Sequence, residues 1–222
     1  MWRMGYKTPP NYNDNQLFCG GFYTQYTVNG GKCGICGDPW NGKRENEAGG
    51  KYANGIITKR YKEGSQIQVK VLVTAAHKGY FEFRICPNND VNKPATHECL
   101  DRYILRTKNG QTRYPENGQA KMYTVDLQLP VGLTCQQCVM QWKYNAGNSY
   151  GVSSNGTGCI GCGNQEQFYS CADVAIDSDP SATGPNSYGK NTSNSSETIL
   201  KNFFLLLCCL IVSKVSLSVR KM

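Results

Sequence analysis

With 222 residues, among them 24 Gly, 14 Tyr and 12 Cys, the chain is long enough for one domain of ordinary size plus a tail, whose core can form without a structural metal. Few apolar runs recur at helical period, which excludes a helix bundle and favours an all-β protein with many turns. The net charge is +8, but Lys201, Lys214, Arg220 and Lys221 supply half of it, and the +4 left on residues 1–198 is too mild to imply a nucleic-acid partner.

Residues 1–60 read as loops punctuated by Gly20-Gly21, Gly30-Gly31 and Gly49-Gly50. A strand is predicted over 66–75, where Ile67, Val69, Val71 and Val73 alternate with other residues, ending in Ala75, Ala76 and His77. A histidine at a strand end beside small residues can project from a sheet rim. The only other histidine, His97, falls in a predicted loop. Further strands are predicted over 80–86, 121–129, 138–145 and 167–176, with Pro115–Gly118 as a loop. Tyr123, Val125, Leu127 and Leu129 share one face, whereas Gln137–Tyr144 alternates less cleanly. Short strands between turn signals predict a two-sheet sandwich.

Composition shifts after Ile176. Residues 177–198 read as a disordered Ser/Asn/Gly-rich linker, and 199–222 as an apolar tail. Phe203–Val212 is ten apolar residues, short of the ~20 that a span needs. The tail is read as a lipid-anchor signal, with a single membrane span or a mistaken gene-model end as alternatives. Met1–Gln16 has no apolar stretch suited to a signal peptide, so Met1 is expected to be an internal methionine of a longer precursor.

Ten cysteines lie in the predicted domain: Cys19, Cys33, Cys36, Cys86, Cys99, Cys135, Cys138, Cys159, Cys162 and Cys171. The number is even and permits five disulfides in an oxidising compartment. Cys86 and Cys99 bracket a twelve-residue polar loop and are the best single pair. The alternative is a zinc ribbon, because Cys135/Cys138 and Cys159/Cys162 give C-x2-C-x20-C-x2-C. Sequons at Asn155, Asn191 and Asn194 agree with secretion. Glu45, Glu47, Glu63, Glu98 and Glu116 are expected to be solvated loop residues, with no paired-carboxylate spacing. Tyr23, Tyr26 and Trp40 are candidate carbohydrate contacts.

The stretches MWRMGY (1–6), NDNQLFCGG (13–21), GGKCGICGD (30–38), GGKYANGII (49–57), VTAAHKGYFEFRICP (73–87), LPVGLTCQQCVMQWKYNAGNSYG (129–151) and GCGNQEQFYSCADVAI (161–176) carry a family resemblance. Residues 1–176 resemble the invertebrate-type lytic polysaccharide monooxygenases, also called chitin-binding type-4 domains. The resemblance implies an immunoglobulin/fibronectin-III-like β-sandwich with long loops and many disulfides. It also implies one copper ion per domain, held by the amine and ring of a mature N-terminal histidine and by the ring of His77. With an external electron donor, such a site attacks glycosidic bonds oxidatively. Ala75 matches the small residue that shapes the axial space, and Phe168 the axial aromatic, with Tyr169 as the alternative if the register slips by one. Gln165 and Gln167 are expected close by. In the family a histidine-led segment precedes the MWR motif, where this sequence begins, so the copper site is expected to be incomplete and the chain inactive as written. The expected partner is crystalline chitin, or cellulose, met by a secreted or surface-anchored monomer. A non-catalytic polysaccharide-binding module is the alternative reading.

Overall fold

The computed structural model describes residues 1–182, all within one unit of the chain, Met1–Tyr188. The apolar tail, most of the predicted linker, Asn191 and Asn194 lie outside the described residues. Among those residues no helix is long and apolar enough to cross a membrane. The strands are β1 (Lys59–Lys62), β2 (Gln66–Leu72), β3 (Gly79–Cys86), β4 (Arg106–Thr107), β5 (Tyr114–Glu116), β6 (Met122–Gln128), β7 (Cys135–Asn145), β8 (Tyr150–Val152), β9 (Gly158–Ile160) and β10 (Gln167–Asp177). One short helix, α1 (His97–Arg102), lies between β3 and β4.

Two sheets face each other, in the orders β1-β10-β7-β3-β5 and β2-β6-β4, and β8 and β9 form a separate hairpin. Period-2 alternation sends Phe81, Phe83 and Ile85 of β3 inward, against Ile67 of β2 and Tyr123, Val125 and Leu127 of β6. Met140, Tyr144, Val174 and Ile176 complete this core. Each fully buried apolar side chain of this size contributes about 1.5–3 kcal/mol.

All five strands predicted from periodicity are present, with different bounds. The strand expected over 66–75 ends at Leu72, and the chain leaves the sheet after Val73, whose amide still bonds Lys121 O. Pro115, placed in a predicted loop, lies in β5 at the sheet edge, where a missing N–H is tolerated. His97, also placed in a loop, opens α1 instead. Thr96 caps that helix by accepting from Cys99 N at 3.1 Å, and Glu98 and Arg102 stand at the ends that suit their charges. Six polar-rich residues leave no apolar period to read.

Residues 17–55 cover the face of the larger sheet turned away from the core. Gln141 Nε2 donates to Ile35 O at 2.6 Å, and Tyr169 N to Leu17 O at 2.8 Å. Five disulfides form: Cys19–Cys33, Cys36–Cys171, Cys86–Cys99, Cys135–Cys138 and Cys159–Cys162. The expected Cys86–Cys99 pair is among them. All four thiols of the ribbon reading, Cys135, Cys138, Cys159 and Cys162, are therefore spent in disulfides, which removes that reading; Cys33 and Cys36 go to different partners. Three glutamates expected in solvent are buried. Glu47 accepts from Ile35 N at 2.9 Å, Glu63 accepts from the amides of Gly132 and Asp179, and Glu116 lies beneath the site described below.

Cys36–Cys171 joins residues 135 apart, whereas Cys135–Cys138 joins residues 3 apart. Loop-closure entropy then predicts a loss of about 5 kcal/mol for Cys36→Ala with Cys171→Ala, against about 2 kcal/mol for Cys135→Ala with Cys138→Ala. Guanidinium unfolding of the two variants checks the ranking. Equal losses would mean that the N-terminal cover docks without its tether.

Candidate metal centre

His77 sits in the link between β2 and β3, and main-chain contacts at both of its ends fix it. Its amide donates to Tyr144 Oη at 2.7 Å, and its carbonyl accepts from Gly147 N at 2.9 Å. Lys78 and Gly79 follow with φ of 56° and 96°. A Cβ on Gly79 would overlap Asn145 O, so only glycine lets this link lie against the end of β7.

Asn148 Nδ2 lies 3.0 Å from His77 Nδ1, which leaves Nε2 as the ring nitrogen without a partner among the described residues. One flank of the imidazole stacks on Phe168, with centroids 5.6 Å apart and planes at 6°. Phe168 in turn stacks on Phe18, at 6.2 Å and 16°. The histidine is thus the end of a three-ring stack drawn from three distant parts of the chain.

Beneath the ring lies a buried hydrogen-bond network that periodicity did not reveal. Tyr144 Oη, which accepts from His77 N, donates to Glu116 Oε2 at 2.7 Å. Tyr123 Oη donates to Glu116 Oε1 at 2.6 Å, joined by Gly118 N at 2.7 Å and Gln119 N at 3.0 Å. Glu116 is 2% exposed. Burial alone would push its carboxyl up, but the hydrogen bonds from Tyr123, Tyr144 and the two amides outweigh burial and hold it below its ordinary value. Burial, and next the Glu116 carboxylate, push the Tyr144 phenol well above its own ordinary value.

The remaining predicted residues separate into those near His77 and those away from it. Ala75 is exposed in the same link, while Ala76 packs on the core. Tyr169 lies on the opposite face of β10 from Phe168, with Cys19 and Cys33, and donates to Gln167 Oε1 at 2.8 Å. Gln167 Nε2 reaches Asn145 Oδ1 at 3.0 Å. Gln165 is buried and bonds both Ser149 N and Ser149 O, so it braces the loop that carries Asn148 rather than the imidazole itself. Tyr26 and Trp40 line a cleft on the outer face of the larger sheet, away from His77. Tyr23 is exposed in the N-terminal cover, and Asn155 is exposed in the β8–β9 turn. Sequence reasoning missed Asn148, Tyr144 and Glu116: the first two lie inside the 129–151 stretch without being singled out, Glu116 sits in no motif, and only the Gly79 fold-back brings them to His77. Among the described residues no cluster of three or more His, Cys, Asp or Glu side chains could hold a metal.

The family model described as lytic polysaccharide mono-oxygenase, cellulose-degrading, matches residues 3–174, and the chain belongs to that family. It is 49% identical to the solved AA15 lytic polysaccharide monooxygenase from Thermobia domestica in the Cu(I) state, with a TM-score of 0.77 over 79% of this chain and 92% of that one. This places it with the invertebrate-type enzymes that its motifs resemble. A lytic polysaccharide monooxygenase important for efficient utilization of chitin in Cellvibrio japonicus is 18% identical, with a TM-score of 0.44 over 74% of this chain and 78% of that one. No match is found among curated proteins.

Because the folded Glu116 carboxyl sits below its unfolded value, the stabilisation it gives is complete above the ordinary carboxylate range and is lost as pH falls through the folded value. Glu116→Gln should cost about 1.5–3 kcal/mol at about pH 7, and the difference from the parent should shrink at about pH 3. Urea unfolding at the two pH values measures both. A pH-independent difference would show that packing, and not the carboxylate, is responsible.

Proposed function

We propose that the protein is a secreted, monomeric, copper-dependent oxidase of crystalline polysaccharide, chitin before cellulose, with His77 as a copper ligand. The observation that carries this reading is the unpartnered Nε2 of His77, held at the end of a ring stack in a family member. The donor chemistry fits one arm of a copper centre, since Nε2 is open and Phe168 fills one flank without offering a competing donor. Three nitrogen donors suit Cu(II) and also hold Cu(I), and a histidine at the head of the mature chain is assigned the amine and second ring nitrogen. Copper, when bound, supplies the one-electron chemistry that activates oxygen or peroxide, with electrons from an external donor.

The chain's own residues position the ligand. For Nε2 to be a free donor, Nδ1 must carry the proton, and the Asn148 amide must then turn its oxygen toward it. Tyr144 and Gly147 fix the main chain, so the ring is presented without searching. Ala75 keeps the solvent side of the link small. The adjoining β8–β9 hairpin exposes Tyr150 (68% exposed), Val152 and Ile160, and Tyr150 lies across Gly158, where a larger residue would collide with its hydroxyl. Such a face suits the flat side of a crystal, and the exposed Tyr23 is a further candidate contact. A glycan at Asn155 and attachment of the tail to the cell surface complete the reading.

In the protein headed by a histidine segment, His77→Ala should abolish tight Cu(II) binding, measured by calorimetry, and the release of oxidised oligosaccharides. Full copper-dependent activity in that variant would sink the assignment. Binding to polysaccharide without turnover in the parent would point to a non-catalytic binding module. Tyr150→Ala should weaken co-sedimentation with crystalline chitin by ~1–2 kcal/mol and leave copper affinity intact. Equal binding of the parent to chitin and cellulose would remove the chitin preference.

A further inference from the structure

A cleft of about 570 Å³ lies between the N-terminal cover, α1 and the outer face of β3, β7 and β10. That volume is in the range of small-molecule sites. It is separate from His77, and the reaction proposed there makes no use of it.

The charges around the cleft do not cancel. Arg84 pairs with Glu82 at 2.7 Å and with Asp101 at 3.2 Å, and Arg113 pairs with Glu82 at 3.1 Å, so both nearby carboxylates are engaged by guanidinium groups. Lys143, half-buried on the cleft floor, has no hydrogen bond or ion pair among the described residues; its Nζ lies only over the Tyr169 ring, at 5.6 Å. Burial, and next the Arg84 charge, lower its pKa, while Glu82 and Asp101 act against them. An uncompensated ammonium in such a place is costly unless an anion meets it. Around it stand Gln141 and Asn145 on the floor and the Trp40 ring, 42% exposed, on the wall. His97 contributes no free ring nitrogen toward Cys33, since its Nε2 is held 2.7 Å from Cys33 O.

An amide-lined floor with the Lys143 cation set into it, and a Trp40 wall over which Lys32 Nζ lies at 5.5 Å and Arg44 Cζ at 4.9 Å, matches a small molecule with several hydroxyls, one apolar face and a negative charge. We propose that this cleft is a second binding site, for a sugar acid whose carboxylate meets Lys143 and whose C–H face lies on Trp40. The source is either the open-chain acid of an oxidised chain end or a ring uronic acid. The site does not depend on copper at His77.

The test titrates the copper-free protein with gluconate, glucuronate, glucose and inorganic phosphate, followed by amide chemical shifts. Gluconate or glucuronate should saturate and shift the amides of Gln141, Lys143 and Asn145, and the stronger of the two identifies the source. Lys143→Met, which keeps the stem and removes the charge, should weaken binding about tenfold or more, and Lys143→Arg should retain it. Trp40→Ala should weaken the sugar acid and leave phosphate unchanged. Glucose binding as well as the acids, or phosphate binding as tightly as they do, overturns the proposal. So does an undiminished Lys143→Met variant whose spectrum shows the native fold. Copper affinity at His77, measured alongside, should stay the same in every variant, so failure here is distinguishable from failure of the copper reading.

Discussion

Both faces of the larger sheet are covered, and that constraint governs the molecule. The β2-β6-β4 sheet packs on one face, and the N-terminal segment packs on the other, tied there by Cys36–Cys171 and by Gln141 reaching Ile35. β7 runs through the middle of this arrangement. Its outer side chains are withdrawn from water almost as fully as its inner ones, so a polar residue such as Gln141 must find its partner in the cover. The cover is therefore part of the fold's hydrogen-bond economy as well as its shield.

The site inherits its order from the same strand. Tyr144, near the end of β7, belongs to the core by its ring and to the His77 link by its hydroxyl. Glu116 then joins that hydroxyl to β6 through Tyr123, so elements of both sheets converge beneath one imidazole. A buried carboxylate is tolerated there because donors surround it: two phenols and two amides reach its oxygens. Rigid support from below leaves the upper face free for a partner.

Much of the fold was legible in the sequence because half-buried strands announce themselves. β6 alternates buried and exposed at every residue, and its three inward side chains, with Leu129 just beyond the strand, were identified from spacing alone. β7 read poorly for the opposite reason: Gln137–Gln141 is buried without a break, which erases the period-2 signal. β5 and α1 were missed because three and six residues are too few to show a period. At the site, His77 stood out as a residue type at a strand end, and the family motifs gave Phe168. Glu116 did not stand out, because a carboxylate in a Gly- and Asn-containing stretch looks the same whether it faces water or two tyrosines. Its partners come from β6 and β7, and only the closed sandwich brings them together.

The three-ring stack has a consequence for how the molecule comes apart. Phe18 is delivered by the loop that Cys19–Cys33 closes, Phe168 by the start of β10, and His77 by the β2–β3 link. The sheets can persist while the first of these detaches, because the main core contains no residue before Tyr61. Reduction or proteolysis in the cover would then strip the outermost ring of the pile first. The imidazole would then lose one layer of its support while the main core stays assembled, so wear in service would show first as a wandering histidine.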